Sequence, residues 1–249
     1  MFRKRYVLPI IVALATVAAC ALMPNQASAA FSIRITTPSS GGTVQIDDNG
    51  VGDTNPATNV IGFGYSDASY FLIGSVAFTN IPGTSVHAIL DINYSIVAQE
   101  SGAAAGGPGT LSASATGFTA PTTNPLTLTS TINGNGTGTG TITGQQWADT
   151  ANGFFTTTGP TPGPQGPFDI NQAGGYGNHK SVQFNKDTGA FSITDVLTFN
   201  LNPGADTTGD LQSEVTPAPA PAGLLLLLSG APVLGIGAWM RRRAATPIA

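Results

Sequence analysis

The chain has 249 residues, only 9% of them charged, and a formal net charge of −4. That figure hides a polarised distribution: Arg3, Lys4, Arg5 and Arg241 to Arg243 sit near the ends. Between Ala30 and Pro221 only Arg34, Lys180 and Lys186 oppose all 13 acids, which leaves the body at −10. So acidic a body excludes a nucleic-acid binder, which needs a basic surface. Cys20 is the single cysteine, so disulfides, thiol nucleophiles and cysteine metal sites are excluded from the body.

The N-terminus has the order of parts of a secretory signal. Arg3-Lys4-Arg5 is a charged start, Tyr6 to Leu22 is almost wholly apolar, and Pro24 precedes Ala27-Ser28-Ala29. That small-residue pattern predicts cleavage by signal peptidase after Ala29. A second reading uses Val17-Ala18-Ala19-Cys20, which resembles the lipobox of bacterial lipoproteins and would make Cys20 a lipidated residue.

Residues 30–214 lack a long helical period. Short apolar runs alternate with polar residues and are punctuated by Gly, Asn and Pro, the pattern of an all-β, antiparallel β-sandwich with a jelly-roll-like arrangement. Phe31, Ile33 and Ile35 predict a first strand, Val44 and Ile46 a second, Ile61, Phe63 and Tyr65 a third, and Val76 with Phe78 another. From Val86 to Ile96 the period of two is clearest, with Val86, Ala88, Leu90, Ile92, Tyr94 and Ile96 on one face. His87, Asp91, Asn93 and Ser95 fall on the other face, with Ile89. Ser101 to Gly109 reads as a loop and Leu111 to Phe118 as a strand. Leu126 to Ile132 and Thr137 to Thr143 flank Asn133-Gly134-Asn135-Gly136 and predict a hairpin. Gly159 to Phe168, with its prolines, reads as an exposed loop. The last strands are Ser181 to Asn185 and Ala190 to Leu201. Asp195 falls in the apolar row of the second, and a bulge at Asp195-Val196 would turn it outward.

Few residues suggest chemistry. In Asp47-Asp48-Asn49-Gly50-Val51-Gly52-Asp53-Thr54-Asn55 the oxygens of Asp47, Asn49, Asp53 and Asn55 are candidate calcium ligands, because hard cations take several oxygens from a glycine-turned loop. The spacing is not that of an EF-hand, since Val51 holds a ligand position and no glutamate closes the loop. An acidic turn is the competing reading. Thr137, Thr139, Thr141 and Thr143 would form a row on one strand, resembling the flat threonine faces of some ice-binding proteins, or simply a polar face. His87 and His179 sit in different contexts, His179 in a loop before a strand, and no catalytic motif is present. Asp91 and Asp195 could in principle pair as acid and base, but nothing in the sequence places them together. The body is therefore read as non-enzymatic, with calcium as the one candidate cofactor.

The C-terminal segment, 215–249, has a stricter order. Pro217, Pro219 and Pro221 alternate with alanines, favouring an extended spacer. Gly223 to Met240 carries no charge and, at ~1.5 Å per residue, reaches roughly the ~30 Å thickness of a bilayer core. Arg241, Arg242 and Arg243 follow and mark the cytoplasmic side. Pro219-Ala220-Pro221, the apolar helix and the arginines together resemble the PEP-CTERM sorting signal of exosortase substrates in Gram-negative bacteria. That tail is also described as the C-terminal region of certain ice-binding proteins. Ala220 stands where the family usually has glutamate.

The resemblance implies transit through the inner membrane, recognition of the tail by an exosortase-type membrane protease, and release or attachment at the cell surface. It also implies an association with exopolysaccharide, as in a biofilm matrix. The expected function is structural or adhesive within that matrix, the alternative being a calcium-dependent carbohydrate-binding or ice-binding module. Mass spectrometry of the mature protein from an exosortase-bearing host should find Ala30 first and Arg241 to Arg243 absent. Retained arginines would contradict the sorting expectation.

Overall fold

The computed structural model describes residues 30–100 and 106–219. The signal segment with Cys20, Ala27 and Ala29 lies outside them, as do Ala220, Pro221, the apolar tail and Arg241 to Arg243. Pro219 is the last residue described. Within this range all twelve regular elements are strands.

They form two antiparallel six-stranded sheets packed face to face. Sheet A runs in the order β2 (Val44–Asp47), β1 (Phe31–Thr36), β6 (Gly107–Phe118), β11 (Phe191–Leu201), β8 (Gly140–Asp149), β9 (Gln165–Asp169). Sheet B runs β10 (Tyr176–Phe184), β7 (Leu126–Thr137), β12 (Asp206–Pro217), β5 (Ala88–Ala98), β4 (Tyr70–Thr79), β3 (Val60–Ser66). From β5 onward the chain crosses between sheets after nearly every strand, so each sheet is assembled from distant segments.

Alternation drives the packing. Every second residue of a strand points inward, and the inward rows supply the core. Phe31, Ile33 and Ile35 come from β1, Leu90, Ile92, Tyr94 and Ile96 from β5, and Phe191, Ile193, Leu197, Phe199 and Leu201 from β11. Tyr70 meets Phe199 edge-on at 4.9 Å between ring centroids, and Phe118 stacks on Phe191 at 5.4 Å. Burying each such side chain contributes ~1.5–3 kcal/mol, which is how a body without cysteine holds together.

Several boundaries differ from the sequence reading, each for a local reason. Asn133-Gly134-Asn135-Gly136 is not a turn: β7 runs through it, and β7 and β8 belong to opposite sheets. Its glycines make room. A Cβ on Gly134 would sit 2.4 Å from the Tyr176 hydroxyl, which bonds to the hydroxyls of Tyr94 and Thr207 at 2.8 Å each. The threonine row is therefore broken, with Thr137 closing β7, Thr139 in the connection, and only Thr141 and Thr143 sharing β8.

In β4 the register shifts between Leu72 and Val76, so Ala77 and Thr79 are the buried pair beyond the shift and Phe78 is half-exposed. Val86 precedes β5 and is exposed. Within the predicted loop at Ser101 to Gly109, β6 already begins at Gly107, and residues 101–105 lie outside the described range. Gln165–Asp169 forms an edge strand within the predicted proline loop, the one place in a sheet where Pro167 is tolerated. His179 lies inside β10. After Gly204 a whole further strand, β12, carries the chain to Pro217, beyond the expected end of the body at Glu214.

Asp195 is the sharpest correction. No bulge rotates it out: the register with β8 is continuous, and Asp195 is fully buried. Ser213 Oγ of sheet B donates to its Oδ1 across the sandwich. Gln146 lies opposite Asp195 in sheet A and Ser130 opposite Ser213 in sheet B. Ser130 Oγ donates to Gln146 Oε1, and Gln165 Nε2 donates to Ser130 Oγ. The result is a fully buried layer of five polar side chains between two apolar regions of core.

Burial drives the Asp195 carboxyl well above the usual carboxylate range, with the Ser213 bond opposing it and the charge of Asp91 adding to it. A raised folded-state pKa stabilises the fold below the unfolded value of ~3.9, and that contribution is lost as pH rises through the folded one. At Asp67 burial acts in the same upward direction. Hydrogen bonds from Thr37, the Tyr70 backbone, Ser69 and Tyr65 outweigh it and hold that carboxyl at about 2, so its contribution disappears as pH falls toward 2. The melting temperature should peak near pH ~4–5 and decline toward pH 8. Asp195→Asn should flatten the alkaline decline and raise Tm at pH 8 by roughly 2–6 °C. A differential scanning calorimetry series checks both, and an unchanged slope in the variant would contradict this role for Asp195.

Candidate functional site: the outer face of sheet B

The two outer faces differ. On sheet A the β8–β9 connection folds back over the strands. The Phe155 backbone N–H donates to Ser114 Oγ at 2.9 Å, Ser192 Oγ donates to Gly153 O at 2.6 Å, and Gly117 N–H donates to Asn152 Oδ1 at 2.7 Å. Arg34 lies 3.8 Å above the Phe155 ring, a cation–π contact that fastens the strap to β1. Beneath it Ser32, Ser114, Thr116, Ser192 and Thr194 are buried although they belong to the outer rows.

Sheet B carries a lattice of planar polar side chains on adjacent strands. Asp210 of β12 pairs in register with Asn133 of β7 and Asn93 of β5, forming one row. Gln212 pairs with Thr131 and Asp91, forming the next. Thr208 with Asn135 and Ser95, and Glu214 with Thr129 and Ile89, extend the lattice on either side. Neighbouring strands lie ~4.8 Å apart and successive rows ~6.8 Å, so donors and acceptors repeat on a regular grid.

Period two explains why these residues share a face. Leu211, Ser213 and Val215 point into the core, so Asp210, Gln212 and Glu214 point out. Toward β4 the surface turns apolar, with Phe71 42% and Ile73 47% exposed.

Asp91 is the fixed centre. It is only 6% exposed, and Asn93 Nδ2 at 3.2 Å and Gln212 Nε2 at 3.1 Å donate to its two oxygens. Burial pushes its carboxyl up to about 6, the charge of Asp210 adds to the rise, and the Gln212 bond opposes it. Asp210 is also raised, first by burial, with the Asn133 hydrogen bond working against it. At the lower edge His87 Nδ1 stands 3.9 Å from Glu214 Oε1. His179, on the outer strand β10, pairs in register with Thr131.

The residues singled out as calcium ligands are spread over the β2–β3 connection. Asp47 ends β2, where Ser32 Oγ and Gln45 Nε2 donate to its Oδ1. The Ser32 bond is the main reason its carboxyl lies below the usual range. Asp53 accepts the backbone N–H groups of Asn49, Asn55 and Gly62 at 2.8, 2.8 and 3.0 Å, organising the turn. Asn55 Oδ1 caps Ala57 N–H at 2.9 Å, and Asn49 supplies a left-handed φ of 56°. Among the described residues no group of three or more His, Cys, Asp or Glu is placed to hold a metal. Asp91 and Asp195 lie on opposite sides of sheet B, one in the lattice and one in the core.

The lattice itself was missed by sequence reading. Its signal is present in β5, where Asp91, Asn93 and Ser95 alternate with the core row. Its other half lies in β12 and β7, whose pairing with β5 no local pattern reveals.

No family model matches the chain, and no curated protein matches it. Solved structures do. The xylan-binding domain CBM22-1 of Paenibacillus barcinonensis Xyn10C matches with 9% identity over 61% of this chain and 88% of that one, at a TM-score of 0.26. The mannan-recognising carbohydrate-binding module TmCBM27 matches with 8% identity over 65% and 97%, at 0.30. The CBM22-1–GH10 modules of Clostridium thermocellum xylanase 10B match with 14% identity over 52% of this chain, at 0.27; the match spans only 22% of that longer protein. The likeness is distant and concerns sandwich architecture.

A carboxyl-resolved NMR titration should place the Asp91 midpoint near 6, and Asp210→Asn should lower it by removing the neighbouring charge. A midpoint near 4 in the parent protein would contradict the lattice geometry.

Proposed function

We propose that the chain is an exported, non-catalytic module that holds extracellular polysaccharide on the outer face of sheet B. The observation that carries this reading is the Asp91–Asn93–Asp210–Asn133–Gln212 lattice: exposed Asn93 and Asn133 beside half-buried Asp210 and Gln212, with Asn93 and Gln212 bonded to the buried Asp91. Sugar hydroxyls come in adjacent pairs that both donate and accept, and planar amide and carboxylate groups meet such pairs two atoms at a time. Each bond is worth only ~0.5–1.5 kcal/mol net, so useful retention comes from a long polymer engaging many groups at once. The apolar strip at Phe71 and Ile73 offers a surface for the C–H faces of sugar rings.

Binding suits this face better than hydrolysis. Both oxygens of Asp91 are engaged by neighbouring amides, so the acid fixes geometry instead of exchanging protons with a substrate. Calcium has no part in this reading, since the lattice is complete without the Asp47–Asn55 turn. The ends belong to the same proposal: signal peptidase and an exosortase-type protease would remove them and leave an adhesive body at the surface, in contact with exopolysaccharide. The acidic charge of that body favours neutral polymers over polyanions as its main ligands.

Affinity electrophoresis against a panel of bacterial and plant polysaccharides tests it. Retardation should occur on at least one neutral polymer and survive EDTA, with no release of reducing ends. Asn93→Ala and Gln212→Ala should each weaken binding roughly 3–10-fold when compared well below their melting temperatures, which should fall modestly because each change removes a donor from the buried Asp91 carboxyl. Unretarded migration on every polymer, or release of reducing sugar, would overturn the reading.

A further inference from the structure

At one end of the sandwich, away from the sheet B lattice, the β6–β7 and β10–β11 connections enclose a pocket of about 690 Å³ lined by Thr119, Thr122, Asn124, Lys186, Asp187 and Thr188. Its one cation is held in an unusual way. Lys186 is only 7% exposed. Its backbone is clamped by a single side chain, with Asn124 Nδ2 donating to Lys186 O at 2.7 Å and Lys186 N–H donating to Asn124 Oδ1 at 3.1 Å. The ammonium donates to Thr119 O at 2.9 Å and sits 5.2 Å from the centroid of the buried Phe191 ring.

Among the described residues no carboxylate lies within 4 Å of Lys186 Nζ; the one contact of that kind between a basic and an acidic side chain is His87 Nδ1 with Glu214 Oε1, at 3.9 Å. Burial alone lowers its pKa. Holding a half-desolvated cation without a counter-ion costs stability. An ammonium has three donors, and the carbonyl of Thr119 takes one. In a body with three cations against 13 acids, a pre-positioned lysine beside three threonine side chains offers a single negative charge a counter-ion.

We propose that this pocket is a subsite for the carboxylate of an acidic sugar, a uronate, with Lys186 Nζ as its counter-ion and Thr119, Thr122 and Thr188 as partners for the ring hydroxyls. The charge of the site fits one carboxylate better than a phosphate or sulfate ester: a single ammonium next to Asp187 balances one negative charge at most. The volume accommodates a sugar ring, and the hydroxyls give the ring something to hold. The subsite stands apart from the neutral-polymer lattice, so either can fail without the other.

Chemical-shift mapping with monosaccharides separates the two. Glucuronate should perturb the amides of residues 119–124 and 186–189, glucose should leave them unmoved, and acetate should bind several-fold more weakly than glucuronate. Lys186→Met should weaken glucuronate binding roughly tenfold or more, the size of one charge-assisted contact. Because that variant also loses the Thr119 tether, Asp187→Asn provides a second reading: on an exposed loop, it should leave the fold intact and tighten glucuronate several-fold. Glucuronate that leaves these amides unperturbed at tens of millimolar would overturn the proposal. So would acetate binding as tightly as glucuronate, or Asp187→Asn leaving affinity unchanged.

Discussion

Ser213 reaches from sheet B to the carboxyl of Asp195 in sheet A, and much of the molecule follows from that contact. An apolar sandwich core is tolerant of sliding, because one isoleucine row packs against another in several registers. A buried carboxyl is not tolerant: it loses free energy wherever it lacks a partner. Gln146, Ser130 and Gln165 extend the contact into a layer spanning both sheets and the β9 edge. Asp195 Oδ2, Gln146 Nε2 and Gln165 Oε1 have no bond of their own, so the layer costs stability while it specifies alignment. A one-residue slip of β12 would strand Asp195 and bury Gln212 and Glu214 in place of Leu211 and Val215.

That alignment presents the lattice on the opposite side of the same strand. With Ser213 fixed inward, Asp210, Gln212 and Glu214 must face out, beside the outward residues of β5 and β7. Sheet A has the same alternation but a different fate. There the Ser114 and Ser192 hydroxyls are bonded to the strap around Phe155, which Arg34 holds. Of the three cations in the body, Arg34 is therefore spent on architecture and Lys186 is set in the end pocket. Lys180 donates from an exposed position to Pro164 O at 2.6 Å. The face left open is acidic and amide-rich, suited to ligands that present hydroxyls.

Much of this was legible in the sequence, and the parts that were not have a common cause. Alternation identifies β1, β5 and β11 because their period of two is local, and it identifies the sandwich. Glycine misleads at Asn133 to Gly136, where the residue answers to the hydroxyl of Tyr176 and not to a turn. β12 escapes notice because its inward row, Thr207, Gly209, Leu211, Ser213 and Val215, is half polar and reads as a linker. Asp195 fails for a related reason: the rule that buries apolar residues and exposes acids is right on average, and it broke where a partner arrived from 18 residues downstream. The lattice, the strap and the Lys186 pocket all join segments far apart in sequence, and no local pattern encodes such meetings.

The outer face of sheet B is the one proposed to hold polysaccharide, and its order is set from inside the core. The most direct measurement is a backbone amide NMR titration of the body with a polysaccharide that retards it. Shifts should concentrate at Asp91, Asn93, Asn133, Asp210 and Gln212, with the strap over sheet A unmoved. Shifts centred on residues 150–164 and the strands beneath them, with sheet B silent, would contradict it.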